Sequence, residues 1–308
     1  MTHKERILSF QIHIMTSKKL FFLAISSLFI LAADAQVTSS GGYDWRDSSV
    51  VPPSRMEQHF EFVNNQYAFP AKPRSQWEIG LKVGTPSVGG DVDAVYPGIG
   101  FGIHARKALG YLFSIRGEYT NGTARGLGGN FIPGNTVAVG NGAWEKYGTA
   151  KKGVWYNYKT NVNELNLHGI ITLNNISFHR AEPKVLVYGL FGAGLMFYNT
   201  KLDVDNNGTL YNFDASQSKS TIKGLLDGTY ETKAATSGNK LKPTTSFGFG
   251  ASFKVSNKVN VSLEDRMTYV KDDYLDGVKY YYSGGNQIVS NRNDTFMFFS
   301  FGLNINLF

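Results

Sequence analysis

The chain has 308 residues, enough for one large domain or two small ones, and its 34 glycines, 17 tyrosines and 22 phenylalanines favour an all-β architecture. Its negative mean hydropathy excludes a bundle of membrane helices. It has no cysteine, which excludes disulfides, thiolate metal sites and a lipid-attachment cysteine, and its formal charge of +7 comes from scattered residues, which argues against nucleic-acid binding.

The N-terminus has the pattern of a secretory signal peptide. Lys18 and Lys19 precede an apolar core at 20–31, and the small-residue site 33–35 follows it. This core is too short to span a bilayer. We predict export with residues 1–35 removed, which leaves a formal charge of +5; Met1 and Met15 are both candidate start residues.

Residues 36–75 are rich in polar residues and proline, and we predict that they form a periplasmic lead-in to the strands described next. One short helix is predicted at 54–67, because Met56, Phe60, Val63 and Tyr67 fall on one helical face. That face would dock on the periplasmic rim or recruit a periplasmic partner. The alternative is a partly ordered segment.

From residue 76 to 308 apolar residues recur at every second position, the period of strands with two unlike faces. With its flanking residues each such segment holds about 9–14 residues, enough for a tilted strand to cross hydrocarbon. Eight are predicted: 77–84, 99–106, 113–119, 164–173, 185–198, 247–254, 259–267 and 299–307.

The connections between these segments alternate in length. Long ones are predicted at 86–98, 120–160, 199–244 and 271–295, and short ones at 107–112, 174–184 and 256–258. Short periplasmic turns and long extracellular loops are typical of outer-membrane barrels. With eight strands, this alternation places both ends of the barrel domain in the periplasm.

A soluble eight-stranded barrel of the lipocalin type would instead point its apolar face inward. The loop asymmetry favours an apolar exterior in the outer membrane, where only helices or a closed barrel satisfy the backbone. Six aromatic residues near strand ends are candidates for the interfacial girdles: Trp77, Tyr96, Tyr119, Tyr198, Tyr269 and Phe296.

The polar faces of the predicted strands carry ten charged or histidine residues that eight strands would force into one narrow lumen. They are Glu78, Lys82, His104, Arg106, Arg116, Glu118, Glu164, His168, Glu264 and Arg266. Opposite charges that are buried together pair. We predict a salt-bridged plug, with a proton or ion pathway or small gated pore as the alternative.

One predicted loop contains a weak candidate metal site. Asp203, Asp205, Asn207 and Asp214 match the ligand spacing of a twelve-residue calcium loop, with Asp214 in place of the usual glutamate. The same stretch, with Gly208, also has the pattern of a β-hairpin turn, which is the favoured interpretation.

No catalytic or cofactor-binding residue is predicted. The G-x-G repeats at Gly98, Gly192 and Gly248 are not followed by a helix, which argues against a nucleotide site. Some small outer-membrane barrels act on lipid A acyl chains, but that chemistry needs serine, histidine and carboxylate at one rim. His104 and His168 lie in mid-strand, and His59 and His179 lie outside the strands.

Three barrel segments, WEIGLKVG (77–84), FGIHARKALGYLFSIRGEY (101–119) and VYGLFGAGLMFY (187–198), resemble the barrel domain of outer membrane protein A family proteins, most of all the version found in Bacteroidetes. The lead-in SRMEQHFEFVNNQYAFPAKPR (54–74) looks like that of the same group. The resemblance implies envelope anchoring, adhesion or surface structure. Peptidoglycan binding would be implied only through a domain beyond Phe308.

The sequence therefore predicts a non-enzymatic outer-membrane barrel with a structural, envelope-anchoring or surface-adhesive role. Its expected partners are outer-membrane lipid, lipopolysaccharide and the barrel-assembly machinery. The terminal Phe308 is similar to an insertion signal for that machinery, although it is in register with Asn304 and Asn306 rather than with the apolar row. A small channel or secretion-associated barrel, and less so a lipid A-modifying enzyme, remain the alternatives.

Overall fold

The computed structural model describes residues 48–74, 76–137, 140, 142–174, 185–234, 241–256, 258–283, 286–290 and 292–307. The predicted signal peptide, His179 and Phe308 lie outside the described residues. No helix in the described part of the chain is long and apolar enough to cross a membrane.

Thirteen strands, three α-helices and four short 3₁₀ helices are described. The strands are β1 Gln76–Gly89, β2 Ala94–Ala108, β3 Phe113–Leu127, β4 Asn157–Thr172, β5 Val185–Leu202, β6 Asp205–Asn206, β7 Thr209–Leu210, β8 Thr232–Lys233, β9 Lys242–Lys254, β10 Val259–Val270, β11 Tyr280–Ser283, β12 Asn286–Val289 and β13 Thr295–Leu307. The helices are α1 Met56–Val63, α2 Glu145–Ala150 and α3 Lys219–Leu225. The 3₁₀ helices are Ser48–Val50, Pro53–Arg55, Gly134–Thr136 and Gly142–Trp144.

Eight long strands close into one antiparallel barrel. Their order is β4, β3, β2, β1, β13, β10, β9, β5, and β5 pairs back with β4. Closure removes free strand edges, so the backbone of every barrel strand is paired on both sides. The predicted eight-stranded up-and-down barrel is confirmed.

The outer wall of the barrel is apolar and the inner wall is polar. Phe191, on the outer wall of β5, is 67% exposed, whereas Lys82 and Glu264, on the inner wall, are 3% and 2% exposed. One carboxylate interrupts the outer wall: Asp265 pairs in register with Phe249 and Phe299. An apolar wall around a closed barrel suits lipid rather than water. The protein is an outer-membrane β-barrel, as predicted.

The prediction of a long first loop at 86–98 is wrong. β1 continues to Gly89 and β2 begins at Ala94, so only residues 90–93 connect them. Pro86 interrupts the alternating pattern, but it lies in register with Phe298 of β13. The pairing of β1 with β13 continues past Pro86 to Gly89. Because about ten residues cross the hydrocarbon, strands of 12–18 residues project beyond the membrane on the extracellular side.

The lead-in docks beneath the barrel through a face that was predicted only in part. The expected face contained Met56, Phe60, Val63 and Tyr67. Met56 packs against the docked cluster, but the other three are exposed, Phe60 by 57%. Phe62 is fully buried in a small cluster with Tyr111 of the β2–β3 turn, and the Tyr111 hydroxyl donates to the carbonyl of Ala71 at 3.1 Å. Helical period alone does not reveal which side of a short helix meets the barrel.

Candidate functional site

The structure places all ten predicted lumen residues on the inner wall. Nine of them are at most 8% exposed, and Arg106, at the periplasmic end, is partly exposed. Strand register explains this grouping, since Lys82, Glu118 and Glu264 occupy inward positions on strands that face one another across a narrow barrel. The side chains therefore meet although they are far apart in sequence.

Glu264 of β10 is the centre of the network. Lys82 Nζ lies 2.6 Å from its Oε1, and Arg116 donates from Nη1 to Oε2 at 2.7 Å and from Nη2 to Oε1 at 3.0 Å. The Tyr188 hydroxyl also donates to Oε2, at 2.9 Å. A bidentate arginine contact of this kind is strong and directional. Glu264 thus joins β1, β3, β5 and β10 across the lumen.

Glu118 of β3 is the second carboxylate of this network. It accepts from Lys82 at 2.8 Å and lies 3.0 Å from Arg116. Arg266 lies 3.7 Å from Glu118 and 2.8 Å from Glu164 of β4. The three cations Lys82, Arg116 and Arg266 thus balance the three carboxylates Glu118, Glu164 and Glu264, as burial of charge requires.

A separate group lies toward the periplasmic end. Glu78 is 3.7 Å from both His104 and Arg106, and Arg106 donates to the Ser114 hydroxyl at 3.0 Å. These contacts tie β1, β2 and β3 together below the central network. The charged lumen is therefore filled in two layers.

The inward glycines make room for these side chains rather than for water. A Cβ on Gly80 would stand 2.2 Å from the His104 ring, and a Cβ on Gly250 would stand 2.3 Å from the Tyr188 ring. Tyr188 could not reach Glu264 past a larger residue at position 250. These two glycines thus mark close approach of neighbouring side chains within the barrel.

The extracellular half of the lumen is closed by apolar side chains, which the sequence interpretation missed. Phe296 and Phe298 of β13 are buried, and the guanidinium of Arg266 lies 6.0 Å from the centre of the Phe298 ring. Phe296 is thus not a girdle residue, and neither is Tyr198, which is buried and donates to Asp272. The alternation of apolar and polar residues fails at this end of β13, because the inward residue Phe298 is as apolar as the outward residue Phe299.

The extracellular segments fold into an ordered structure, here called the cap, formed by residues 128–156, 203–234 and 271–294 in their described parts. Trp144 and Tyr147 are fully buried, and Trp144 packs 5.1 Å from Tyr156, measured between ring centres. One apolar core runs through the cap and the outer lumen; its buried members are Val88, Val92, Ala124, Ile132, Trp144, Tyr147, Val154, Tyr156, Tyr158, Val162, Met196, Tyr198, Leu202, Val204, Ala234, Val270, Leu275, Val278, Phe296 and Phe298.

Two buried aspartates fasten the cap loops. Asp276 accepts from the backbone N–H groups of Asp91 and Val92 at 2.6 and 2.9 Å, and Asp294 accepts from that of Leu275 at 2.7 Å. Both carboxylates face the space beside Gly90. Burial, reinforced by the neighbouring carboxylate, raises the pKa of Asp294 to about 9, and burial raises that of Asp276 to about 7.

The weak calcium candidate forms a hairpin. β6 pairs with β7 through a two-residue turn in which Asn207 and Gly208 have φ angles of 48° and 83°. Positive φ at both positions is the requirement of a type I′ turn, which Asn-Gly satisfies.

The carboxylates of this segment bind protein groups instead of converging on one point. Asp203 accepts from the Tyr211 hydroxyl at 2.8 Å, Asp205 from the Gly208 N–H at 2.8 Å, and Asp214 from a following backbone N–H. Within the described ranges no group of three or more histidine, aspartate or glutamate residues could hold a metal ion. The geometry does not support the calcium alternative.

A serine and a histidine meet inside the barrel, a pairing that the sequence interpretation did not predict. His168 Nε2 is 3.0 Å from the Ser246 hydroxyl, while Nδ1 is 3.4 Å from Arg116. In a catalytic triad a carboxylate orients the second ring nitrogen. Here a cation stands in that position, and both residues are fully buried.

Comparison with known proteins gives likeness of fold only. No protein-family profile matches the chain, and no curated protein sequence matches it. Neisserial surface protein A is 10% identical, with 75% of this chain and 96% of that chain covered and a TM-score of 0.35. A major outer membrane protein from Thermus thermophilus is 10% identical, with 76% and 100% covered and a TM-score of 0.39.

The outer membrane enzyme PagL also matches, at 10% identity, with 74% of this chain and 98% of that chain covered and a TM-score of 0.27. A surface protein, a major outer membrane protein and an enzyme thus match at similarly low levels. The resemblance to the outer membrane protein A family therefore stays a prediction, and function must be argued from this chain's own residues.

Proposed function

We propose that the protein is a non-enzymatic, non-conducting barrel that holds a rigid cap on the cell surface, with a structural and adhesive role. The observation that carries this proposal is the double closure of the barrel, by the Glu264 network below and by Phe296 and Phe298 above. An eight-stranded barrel has room only for side chains, and here charged side chains occupy its lower part and buried phenylalanines its upper part.

The cap supports a role in surface contact. Gln287 of β12 donates to the Tyr156 hydroxyl, which fastens the β11–β12 hairpin to the cap core. On this hairpin Ile288 and Val289 are 44% and 45% exposed. Because successive strand residues point to opposite faces, each face of the hairpin presents one of these apolar side chains for contact.

Conductance tests the non-conducting part of the proposal. Purified protein inserted into planar bilayers should give no discrete current steps in about 1 M KCl. A porin inserted in the same bilayers is the positive control. Reproducible steps from the wild-type protein would overturn the proposal in favour of the small-channel alternative.

Attachment tests the adhesive part. Cells that display Ile288→Ser/Val289→Ser should attach to polystyrene under flow less than wild-type cells at equal surface expression. The matched control is Leu225→Ser/Leu241→Ser, which removes two exposed leucines from other parts of the extracellular surface. Equal loss in both variants, or loss in neither, would contradict a role of the hairpin.

Acyl-chain chemistry on lipid A is the remaining alternative. The buried Ser246 and His168 pair argues against it, because neither side chain reaches the lipid-facing wall. Lipid A extracted from cells that overexpress the protein should have an unchanged acyl pattern by mass spectrometry. Loss or gain of an acyl chain that depends on Ser246 would overturn the non-enzymatic assignment.

A further inference from the structure

Four cations form a row across one side of the barrel, near its extracellular end. Arg125 of β3 pairs in register with Lys159 of β4, Lys159 with Lys201 of β5, and Lys201 with Lys233 of β8. Residues paired in this way point to the same face of a sheet. The face is the outer one, because Tyr119 and Leu165 occupy positions of the same parity and are exposed.

This arrangement is unfavourable unless an anion is present. Like charges directly opposite one another on neighbouring strands destabilise a sheet. Within the described part of the chain, no carboxylate lies within ion-pair distance of these four side chains. The Lys159 ammonium lies 5.8 Å from the centre of the Tyr230 ring. With strands about 4.8 Å apart, the four positions span roughly 15 Å.

Next to the row, toward the middle of the barrel, the outer wall carries a hydrogen-bonded polar group. Asn163 accepts from the Tyr119 hydroxyl and from the Asn121 amide, each at 2.8 Å. Asn163 also donates to Asn161 at 3.2 Å, and Asn161 donates to the Thr123 hydroxyl at 3.2 Å. Polar side chains at a membrane-facing position are costly and mark function.

Along β3, β4 and β5 the outer wall therefore changes from apolar to amide to cationic as it leaves the hydrocarbon. The successive registers are Tyr119 with Leu165 and Leu195, then Asn121 with Asn163 and Phe197, then Thr123 with Asn161 and Asn199, then the cations. On the other half of the barrel, the register row Gly89, Thr295, Tyr269 and Thr245 is uncharged. The first residue of β9, Lys242, is paired with Asp272 at 2.8 Å. The cationic wall is thus a one-sided feature.

We propose that this wall binds a phosphorylated glycolipid of the outer leaflet. Its phosphates contact Arg125, Lys159, Lys201 and Lys233, and its sugar hydroxyl and ester groups contact the asparagines. Its acyl chains lie on Leu165, Leu195 and Phe197. The four positions lie at different heights because barrel strands tilt. Lysine and arginine side chains are long enough to bring all four charges to one layer of phosphate groups.

The test uses the full protein in detergent with diphosphoryl lipid A as the probe, measured by native mass spectrometry. Lys159→Gln/Lys201→Gln should weaken binding about 30-fold, because each cation near anionic lipid contributes about a factor of five. The matched control, Lys254→Gln/Lys258→Gln, removes two lysines at the periplasmic turn and should bind like wild type.

Two further arms identify the ligand. Lipid A from which both phosphates are removed should bind the wild-type protein as weakly as diphosphoryl lipid A binds Lys159→Gln/Lys201→Gln. Millimolar inorganic phosphate should not displace diphosphoryl lipid A from the wild-type protein. Without lipid A, Lys159→Gln/Lys201→Gln should unfold at the same temperature as wild type or higher, since repulsion is relieved. The proposal would be overturned if both double variants weakened binding equally, or if lipid A with and without phosphates bound the wild-type protein equally well.

Discussion

Replacing Glu264 by glutamine tests the assignment of the lumen as a charge-balanced plug. The glutamine keeps the size of the side chain but removes the charge that Lys82 and Arg116 share at 2.6–3.0 Å. Two carboxylates, Glu118 and Glu164, then face three cations in a space from which solvent is excluded. The lumen is left with one uncompensated positive charge.

The expected cost follows from that charge. Breaking a buried pair by removing one partner costs about 3–5 kcal/mol of unfolding free energy, because the other partner remains buried. Lys82→Met should restore balance in the Glu264→Gln background. The double variant should therefore be less destabilised than the sum of the single variants, with a coupling of about 2 kcal/mol.

The assay is urea unfolding in lipid vesicles, followed by tryptophan fluorescence and by the gel shift between folded and boiled barrels. Glu231→Gln, in an exposed cap position, is the control and should change stability by less than about 0.5 kcal/mol. Additive single costs, or a Glu264→Gln barrel as stable as wild type, would refute the charge-balance reasoning. Current steps that appear only in Glu264→Gln would show that the network closes the lumen.

Three more predictions concern the cap, the glycines and the lead-in. The raised pKa of Asp294 means that the folded cap binds more protons than the unfolded chain, so the contribution of Asp294 to cap stability should fall from about pH 4 to pH 9, by up to about 1.4 kcal/mol per pH unit. Asp294→Asn should flatten this dependence, as read from hydrogen exchange of the Leu275 amide; an unchanged slope would contradict it. Gly250→Ala should cost about 1–3 kcal/mol in urea unfolding, whereas Gly117→Ala, where a Cβ meets nothing within 4 Å, should be neutral. Phe62→Ala should make the lead-in sensitive to trypsin without changing barrel stability, whereas Phe60→Ala should leave the lead-in resistant. Sensitivity in Phe60→Ala and resistance in Phe62→Ala would show that the lead-in docks through Phe60.

The period-two pattern determined the barrel, the strand count and which wall is apolar. It did so because lipid on one side and packed polar side chains on the other impose unlike demands on alternate residues. The ten lumen residues followed from parity alone. The ends of the strands were poorly predicted. Around Pro86 and in the outer segments of β4 and β5, apolar and polar residues do not alternate, yet these segments are extended because they pair with neighbouring strands.

Only the tertiary structure decided which charges meet, and where the cap and the cationic wall lie. Glu264 and Lys82 are 182 positions apart, and Arg125 and Lys233 come into one row only through the register of four strands. Sequence parity assigns a residue to a face but not to a height or to a neighbour across the barrel. Those depend on strand register and closure, which long-range pairing sets.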